Sequence, residues 1–138
     1  MPLRIGFQAP GGPLIAPLWF RYREGSFWSC SPLSSALVKS LESHPEVAFD
    51  VSTNEIPYKG VRGRALAECH PASGPDVLED LLLRYLDGTD NPLAEWLLSR
   101  VDGEALIRFH IEWLTSWDFS RRMSGLERIA DRDATAEL

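Results

Sequence analysis

The chain has 138 residues, of which 44% are hydrophobic and 25% are charged, and its net charge is −6 at neutral pH. This composition predicts one globular domain over residues 1–123 followed by a charged tail over residues 124–138, and the acidic balance argues against nucleic acid or an anionic membrane as a partner. No apolar run reaches the roughly 20 residues that span a bilayer, no signal-peptide pattern opens the chain and only two cysteines are present, so we expect a cytoplasmic protein.

The first third of the chain changes from a strand pattern to a helical one. Alternating apolar residues predict a strand over 3–7, and extended runs over 14–22 and 26–30 predict two more, joined by short connections as an antiparallel meander. Leucines then recur every fourth residue from Leu33 to Leu41, which predicts a helix. We expect Ser31 to cap this helix, Pro32 to be its first residue and Pro45 to end it.

The rest of the chain predicts three further strands and two helices. Alternation indicates strands over 47–51, 61–69 and 105–115, and helices open at Gly74 and after Asn91. Six strands in mostly hairpin order, with inserted helices, predict an α+β protein. Its centre would be a six-stranded antiparallel barrel, since closure removes exposed strand edges.

No standard catalytic motif is present, so we assign no catalytic residue. The sequence lacks a phosphate-binding loop, a nucleophile elbow and a dinucleotide fingerprint. The three histidines, His44, His70 and His110, lie far apart in the sequence. Cys69-His70 has no second pair at zinc-site spacing, so we expect no metal site.

The opening of the first predicted helix is a candidate anion site. Helix N-termini present unpaired N–H groups and the positive end of the helix dipole. Ser34 and Ser35 add hydroxyl donors, and Ser31, Ser35 and Lys39 recur at intervals of four on one predicted helix face. The simpler interpretation is a capped helix with a solvated lysine, and the chemistry of these residues alone favours it.

Two later stretches concentrate cations and aromatic residues. In residues 57–64, Tyr58, Lys59, Arg62 and Arg64 lie beside two glycines, and arginine binds phosphate in a bidentate manner. Residues 113–123 include two tryptophans, a phenylalanine and two arginines. The aromatic residues fit a core cover, a dimer interface or a surface that stacks on a flat ring, and the sequence leaves this choice open.

Taken in order, four segments resemble the pyridoxamine phosphate oxidase-like superfamily of flavin- or deazaflavin-binding split β-barrels. They are the "PLWF" strand (residues 17–20), the serine-led helix with its following "HPEVAFDV" (44–51), "PYKGVRGRA" (57–65) and "SWDFSRRM" (116–123). The resemblance spans about residues 3–123. It implies a homodimer of six-stranded split barrels of Greek-key type, with FMN or a deazaflavin at each dimer-interface site and oxidoreductase activity on a small molecule.

The resemblance also implies roles for particular residues. The flavin ring would lie along Pro17, Leu18 and Trp19, and its phosphate would meet Ser31, Ser34 and Ser35. Cations near the "PYKG" segment would assist, and Trp117 and Arg121 would come from the partner subunit. The complete set of expected cofactor-binding residues is Pro17, Leu18, Trp19, Ser31, Ser34, Ser35, Lys39, Tyr58, Lys59, Arg62, Trp117 and Arg121.

Two departures from the family pattern leave alternatives open. Members often carry Ser-Arg-Lys where this chain has Ser35-Ala36-Leu37, so Lys39, Lys59 and Arg62 would have to replace two lost cations. Many members also have a helix before the first strand, whereas this sequence starts almost directly in its first predicted strand. The leading hypothesis is a cytoplasmic homodimeric flavin-type oxidoreductase. The alternatives are a non-catalytic split barrel that binds another small ligand or a protein, and a barrel that binds single-stranded nucleic acid, which the acidic charge opposes.

Overall fold

The computed structural model of the chain describes residues 1–70, 74–86, 90–99 and 103–123. The predicted tail over residues 124–138 lies outside these ranges. The elements are, in chain order, β1 (Leu3–Ala9), β2 (Gly12–Leu18), β3 (Arg21–Arg23), β4 (Ser26–Pro32), α1 (Ala36–Ser43), β5 (Glu46–Ser52), β6 (Lys59–His70), α2 (Gly74–Leu86), α3 (Pro92–Leu98) and β7 (Glu104–Asp118). A helical turn follows β7 from Ser120.

The strands form one antiparallel sheet in the order β2-β1-β5-β6-β7-β4-β3. The α+β antiparallel prediction is therefore confirmed. The predicted strand count of six is corrected to seven, because the extended run over 14–22 divides at Trp19-Phe20 into β2 and β3. β2 and β3 end the sheet on opposite sides, so in the described residues the sheet is not closed by hydrogen bonds, and a Greek-key arrangement is not confirmed.

The predicted meander is confirmed as two hairpins but not as one three-stranded unit. β1 pairs with β2 through a tight turn in which Gly11 has a φ of +87°, a conformation that glycine adopts without strain. β3, from the second half of the predicted strand over 14–22, pairs with β4, whereas the other neighbour of β4 is β7 rather than β2. The reason is the length of β7, whose 15 residues pair with β4 on one side and with β6 on the other. Such long-range pairing leaves no signal in the local pattern of β4.

The predicted start of the first helix is also wrong. β4 continues through Pro32, because Ser31 and Pro32 pair with Ala105 and Glu104 of β7. The helix cap is Ser35, whose Oγ accepts a hydrogen bond from the N–H of Val38 at 3.2 Å. The seven residue pairs between β4 and β7 thus outweigh the preference of Ser31-Pro32 for the start of a helix. The predicted end of the helix before Pro45 is confirmed.

The core lies on the inner face of the curved sheet, and the helices occupy two positions around it. α1 contributes Leu37, Val38 and Leu41 to the main core, while α2 packs against β4 and β7 and forms a second apolar cluster together with α3. The main core consists of Leu3, Ile5, Phe7, Ala9, Phe20, Phe27, Leu37, Val38, Leu41, Val47, Phe49, Val51, Ala65, Ala105, Ile107 and Phe109. Among the helices described, none is long and apolar enough to cross a membrane.

Candidate functional site

A cavity of about 430 Å³ lies between the sheet and the two helices α2 and α3. We call it the Trp19 cavity. Its lining consists of Pro17, Leu18, Trp19, Cys30, Ser31, Pro32, Leu78, Leu81, Trp96, Leu97 and Glu104. Its volume falls within the range of about 300–1,000 Å³ that is common for small-molecule sites, and its lining is mostly apolar.

The walls of the Trp19 cavity are held by packing and backbone hydrogen bonds. The ring of Trp19 stacks on Tyr85 of α2 with centroids 5.3 Å apart and planes 8° from parallel. The Trp19 carbonyl accepts a hydrogen bond of 2.6 Å from the hydroxyl of Ser29. These contacts fix the place where the chain leaves β2, so this wall is formed before any ligand binds.

Two groups that can ionise line the cavity among the described residues, and they influence each other. Glu104 opens β7 and is only 8% exposed. Burial, with the nearby Glu104 carboxylate adding to it, raises the pKa of the Cys30 thiol from 9.0 to about 12. Cys30 is therefore protonated at neutral pH and is not a thiolate nucleophile.

A second cavity, of about 490 Å³, lies beside α1. We call it the Lys39 cavity. It is lined by Gln8, Ala9, Pro10, Ser34, Ala36, Lys39, Ser40, Ser43 and His44. Of the two positions where family members often carry cations, Ala36 is exposed and faces this cavity, whereas Leu37 is 3% exposed within the core. Only position 36 could therefore place a side-chain charge here without disturbing the core.

The two cavities lie on either side of a short connection between β4 and α1. Ser31 and Pro32 line the Trp19 cavity, and Ser34 and Ala36 line the Lys39 cavity. The hydroxyl of Ser31 donates to Oγ of Ser35 at 3.0 Å, and the same oxygen accepts the N–H of Val38. The predicted common helix face of Ser31, Ser35 and Lys39 is wrong, because Ser31 belongs to β4. Its hydroxyl supports the helix cap.

The remaining predicted site residues lie at the other end of β7. Lys59 pairs with Asp118, and Arg62 and Trp117 lie on the same face of the β6-β7 ladder, paired with Thr115 and Gly60. Asp118 lies fourteen positions after Glu104, which corresponds to about 45 Å along the strand. None of these residues lines the Trp19 cavity of its own chain.

Trp117 carries an unusual polar group at this second end. Its ring packs beside Phe119, with centroids 5.0 Å apart. Its indole N–H is buried and has no acceptor in the described part of the chain. Tyr58 and Arg121 lie nearby in the fold, since the Tyr58 carbonyl accepts the N–H of Phe119 at 2.9 Å and Arg121 follows in the next helical turn.

Sequence reasoning missed half of the Trp19 cavity. It assigned no site role to the leucines of α2, to Trp96 and Leu97 of α3, or to Glu104. The sequence signal that was present is the single acidic residue at the head of the apolar run from Ala105 to Ile107. The sequence also did not indicate that His70 and His110 both contact Glu68. No group of three or more potential ligands in the described ranges is arranged to hold a metal ion.

Solved structures share this arrangement of strands. A protein solved as an F420 reductase matches at a TM-score of 0.67 and 19% identity, covering 83% of this chain and 89% of its own. A Clostridium acetobutylicum protein of the pyridoxine phosphate oxidase family, related to general stress protein 26, matches at 0.59 and 16%, covering 86% and 80%. The chain has the fold of the pyridoxamine phosphate oxidase-like superfamily.

This split-barrel fold does not by itself determine a ligand. The haem storage protein HutZ from Vibrio cholerae also matches, at a TM-score of 0.65 and 16% identity, covering 83% of this chain and 84% of its own. No protein-family model matches the sequence, and no curated protein matches it either. At these identities the likeness establishes the fold, and the function has to be argued from the two cavities.

Proposed function

We propose that the protein is a cytoplasmic flavin-type oxidoreductase that acts on a small molecule and binds FMN or a deazaflavin between two copies of the chain. The observation that carries this proposal is the Trp19 cavity, which lies at the end of the "PLWF" strand in a fold shared with an F420 reductase. The cavity combines a preformed wall, an apolar lining and two tryptophans.

The ring of such a cofactor fits the chemistry of this cavity. Flat conjugated rings bind between apolar and aromatic side chains, and aromatic surface is supplied by Trp19, directly after β2, and by Trp96 of α3. The end of β2 would orient the ring. The leucines of α2 and α3 would exclude water from it.

The phosphate of FMN, or the acidic tail of a deazaflavin, would extend past the β4–α1 connection toward the Lys39 cavity. Lys39 and Ser34 line that cavity, and both are exposed. Lys39 would supply one charge-assisted hydrogen bond in place of the two cations that the family pattern places at positions 36 and 37. We therefore expect weaker anion binding than in a site that has all of these cations.

A second copy of the chain would bring the other residues to the site. The buried N–H of Trp117 needs an acceptor, because buried N–H groups rarely remain unpaired. In the described residues β4 pairs with β7 only as far as His110, so one edge of β7 from Ile111 onward has no partner strand. Both features support an interface at this end, where Arg62, Trp117 and Arg121 would reach the partner's cofactor.

The chemistry of hydride or electron transfer would be supplied by the bound cofactor. The residues of this chain would bind the cofactor, orient its ring against the end of β2 and keep water out of the cavity. Cys30 would contribute apolar volume, since its thiol stays protonated. We assign no general acid or base.

The test is a visible absorption spectrum of the purified protein, followed by titration with FMN, riboflavin and F420. Riboflavin shares the ring of FMN and lacks the phosphate. Comparing the two affinities therefore separates ring binding in the Trp19 cavity from phosphate binding in the Lys39 cavity. We expect FMN or F420 to bind with a spectral shift. Lys39→Met is expected to weaken FMN binding about 3- to 10-fold and to leave riboflavin binding unchanged, because an exposed charge contributes modestly.

Arg23→Met is the matched control, since Arg23 is an exposed cation of β3 that lines neither cavity, and it should leave FMN binding unchanged. If neither FMN nor F420 binds the wild-type protein, the proposed oxidoreductase function is wrong. If Lys39→Met weakens riboflavin and FMN equally, the phosphate does not reach the Lys39 cavity.

The second candidate is a non-catalytic split barrel that binds another small ligand or a protein. Ala36 favours it, because this residue leaves the Lys39 cavity with one lysine where the family pattern provides more charge. Ala36→Arg distinguishes the two candidates. If the site is a weakened flavin site, the added guanidinium should raise FMN affinity about 10-fold or more. If the site binds a different ligand, Ala36→Arg and wild type should give the same result in the flavin titration.

A further inference from the structure

The Lys39 cavity offers more space than one phosphate group needs. It measures about 490 Å³, and a cavity of similar volume adjoins it, lined by Gln8, Ser43, His44, Pro45, Glu46 and Leu66. The two cavities have Gln8, Ser43 and His44 in common, and we call them together the α1 groove. A water molecule takes about 30 Å³ in the liquid, and a phosphate group is only a few times larger. The phosphate of FMN would therefore fill a small part of the groove.

One end of the α1 groove suits a phosphate. Lys39 is the one lysine or arginine among the described residues that line the groove. Helical side chains lean toward the N-terminus, so we expect its ammonium to lie toward Ser34 rather than toward His44. His44 comes five positions later, which is about 7.5 Å further along the helix axis. A phosphate bound by Lys39 and Ser34 thus leaves the His44 end available.

The His44 end is polar but does not favour anions. It lies at the C-terminal end of α1, where the helix dipole is negative. The exposed carboxylate of Glu46 lines the groove at the same end. Gln8, Ser43 and His44 offer an amide, a hydroxyl and ring nitrogens, all of which form hydrogen bonds with neutral groups. A neutral group rich in donors and acceptors therefore fits this end better than a carboxylate does.

A nucleoside has this chemistry. The amide of a glutamine can donate to one atom of the adenine edge and accept from the adenine amino group, and Gln8 is exposed near the end of β1. The ring of a histidine is a surface on which bases stack, and His44 is also exposed. A carboxylate such as Glu46 can accept a hydrogen bond from a ribose hydroxyl.

We propose that the α1 groove binds a nucleoside phosphate, so that the cofactor of the proposed site is an FMN unit extended through its phosphate by adenosine phosphate, as in FAD. This inference rests on the proposed function, because it names the part of the cofactor that the Lys39 cavity holds. The phosphates would meet Lys39 and Ser34. The adenosine would lie against Gln8, Ser43 and His44.

The flavin ring and the adenosine can belong to one molecule because the two sites are adjacent. Pro32 lines the Trp19 cavity and Ser34 lines the Lys39 cavity, with one residue between them. Two positions of chain span at most about 7 Å. The ribityl chain that joins a flavin ring to its phosphate can cover such a distance, so the fold need not change.

The experiment compares two pairs of ligands by titration of the full chain. FAD and FMN differ by the adenosine phosphate, and ADP and inorganic pyrophosphate differ by the nucleoside alone. We expect FAD to bind about 10-fold or more tightly than FMN, and ADP to bind about 10-fold more tightly than pyrophosphate, because the nucleoside adds several hydrogen bonds of modest strength. Flavin absorbance measures the first pair, and calorimetry measures the second.

Gln8→Ala and His44→Ala should each lower the affinities for FAD and ADP about 3- to 10-fold and leave those for FMN and pyrophosphate unchanged. Both side chains are exposed, so we expect both variants to fold, and either one alone suffices for the comparison. His70→Ala is the matched control, because His70 lines neither the Trp19 cavity nor the α1 groove. It should leave all four affinities unchanged.

The inference is overturned if wild-type protein binds FMN as tightly as FAD, if it binds pyrophosphate as tightly as ADP, or if Gln8→Ala and His44→Ala weaken FMN as much as FAD. The proposed function is decided separately by the flavin titration. FMN binding without a preference for FAD contradicts only the nucleoside site. A preference for ADP over pyrophosphate without binding of any flavin or deazaflavin contradicts only the oxidoreductase function.

Discussion

The Glu68 carboxylate on the outer side of β6 bridges two histidines. One oxygen lies 2.8 Å from Nε2 of His70 and the other lies 2.6 Å from Nε2 of His110. The pKa of Glu68 is lowered from 4.5, chiefly because of the hydrogen bond with His110, and the charge of His70 adds to this. All three side chains are well exposed, so their contribution to stability is small and is screened by salt.

The lowered pKa gives the stability a defined pH dependence. A carboxyl group with a folded pKa below its unfolded value stabilises the fold above about pH 4.5, and this contribution disappears as the pH falls through the lowered pKa. We expect Glu68→Gln to lower the Tm slightly at pH 6 and low salt, and to match wild type below pH 3. Thermal unfolding measured from pH 2 to 7 checks this.

Glu46→Gln makes the same chemical change at an exposed position on β5. It should reproduce neither the Tm difference at pH 6 nor its disappearance in acid. A Glu68→Gln difference that persists unchanged at pH 3 would show that the carboxylate charge is not its cause.

At the scale of elements, the close approach of β5, β6 and β7 depends on Gly63. A Cβ atom at this position would overlap the backbone oxygen of Trp113 and lie 2.8 Å from the Phe49 ring. Phe49 in turn packs edge-on against Phe27 with centroids 5.0 Å apart, so the ring cannot move away freely. The glycine is therefore required by the packing of two neighbouring strands against one aromatic cluster.

We expect Gly63→Ala to destabilise the protein by about 1–3 kcal/mol, as is typical when a group is added to a packed interior. Thermal or urea unfolding measures the change. Gly6→Ala is the matched control, because its Cβ would meet Ala48 Cβ at 3.6 Å, an ordinary contact. Equal stability of the two variants would contradict this account of the β6-β7 packing.

The sequence predicted elements better than it predicted their partners. Strands such as β1 and β5 were found from alternation, and α3 from Asn91-Pro92, whose amide oxygen accepts the N–H of Ala94 at 2.9 Å. These signals are local. The place of β4 beside β7 and the end of β4 at Pro32 depend on a strand more than 70 residues away, and no local pattern encodes that contact.

The sequence predicted only part of the candidate site. Pro17 and Leu18 at the end of β2 line the main cavity, and this is the segment along which the resemblance places the cofactor ring. The role of Ser31 was mistaken together with the helix start. Glu104 and Trp96 could not be assigned, because their place in the cavity depends on how α2 and α3 pack against the sheet.

At the scale of the whole molecule, the predicted site residues fall into two groups at opposite ends of β7. In a two-fold symmetric dimer, the group at one end of β7 in each chain would meet the group at the other end of β7 in the partner. Each of the two sites would then be built from both chains. This arrangement can be tested without a structure of the dimer, because two different defects placed on two chains leave one site intact.

We expect Leu18→Arg and Arg62→Glu each to abolish flavin binding. The first blocks the Trp19 cavity, and the second reverses a charge near the beginning of β6. Mixed and allowed to exchange subunits, the two variants should recover about a quarter of the wild-type sites, since half of the dimers are mixed and each holds one intact site. Absorbance of bound flavin measures the recovery.

A mixture of Leu18→Arg and Trp96→Arg is the control, because both changes place a cation in the Trp19 cavity of their own chain and every site in a mixed dimer stays blocked. Recovery in the control, or none in the test mixture, would contradict a site built from two chains. Sedimentation at several protein concentrations establishes whether dimers form under the same conditions.

The extra residue in β7 has a consequence for how the two ends of this strand can change. Arg64 pairs with Trp113 and Ala65 with Ile111, so Glu112 is left over and resets the alternation between them. Ile107 and Phe109 stay buried on one side of this residue, while Trp113 lies outward on the other, with the Arg64 guanidinium 5.7 Å from its ring. Deleting Glu112 would place Trp113 directly after Ile111, so ordinary alternation would keep Trp113 outward and paired with Arg64. Either half of β7 can therefore keep its face and its pairing with β6 whether or not the extra residue is present.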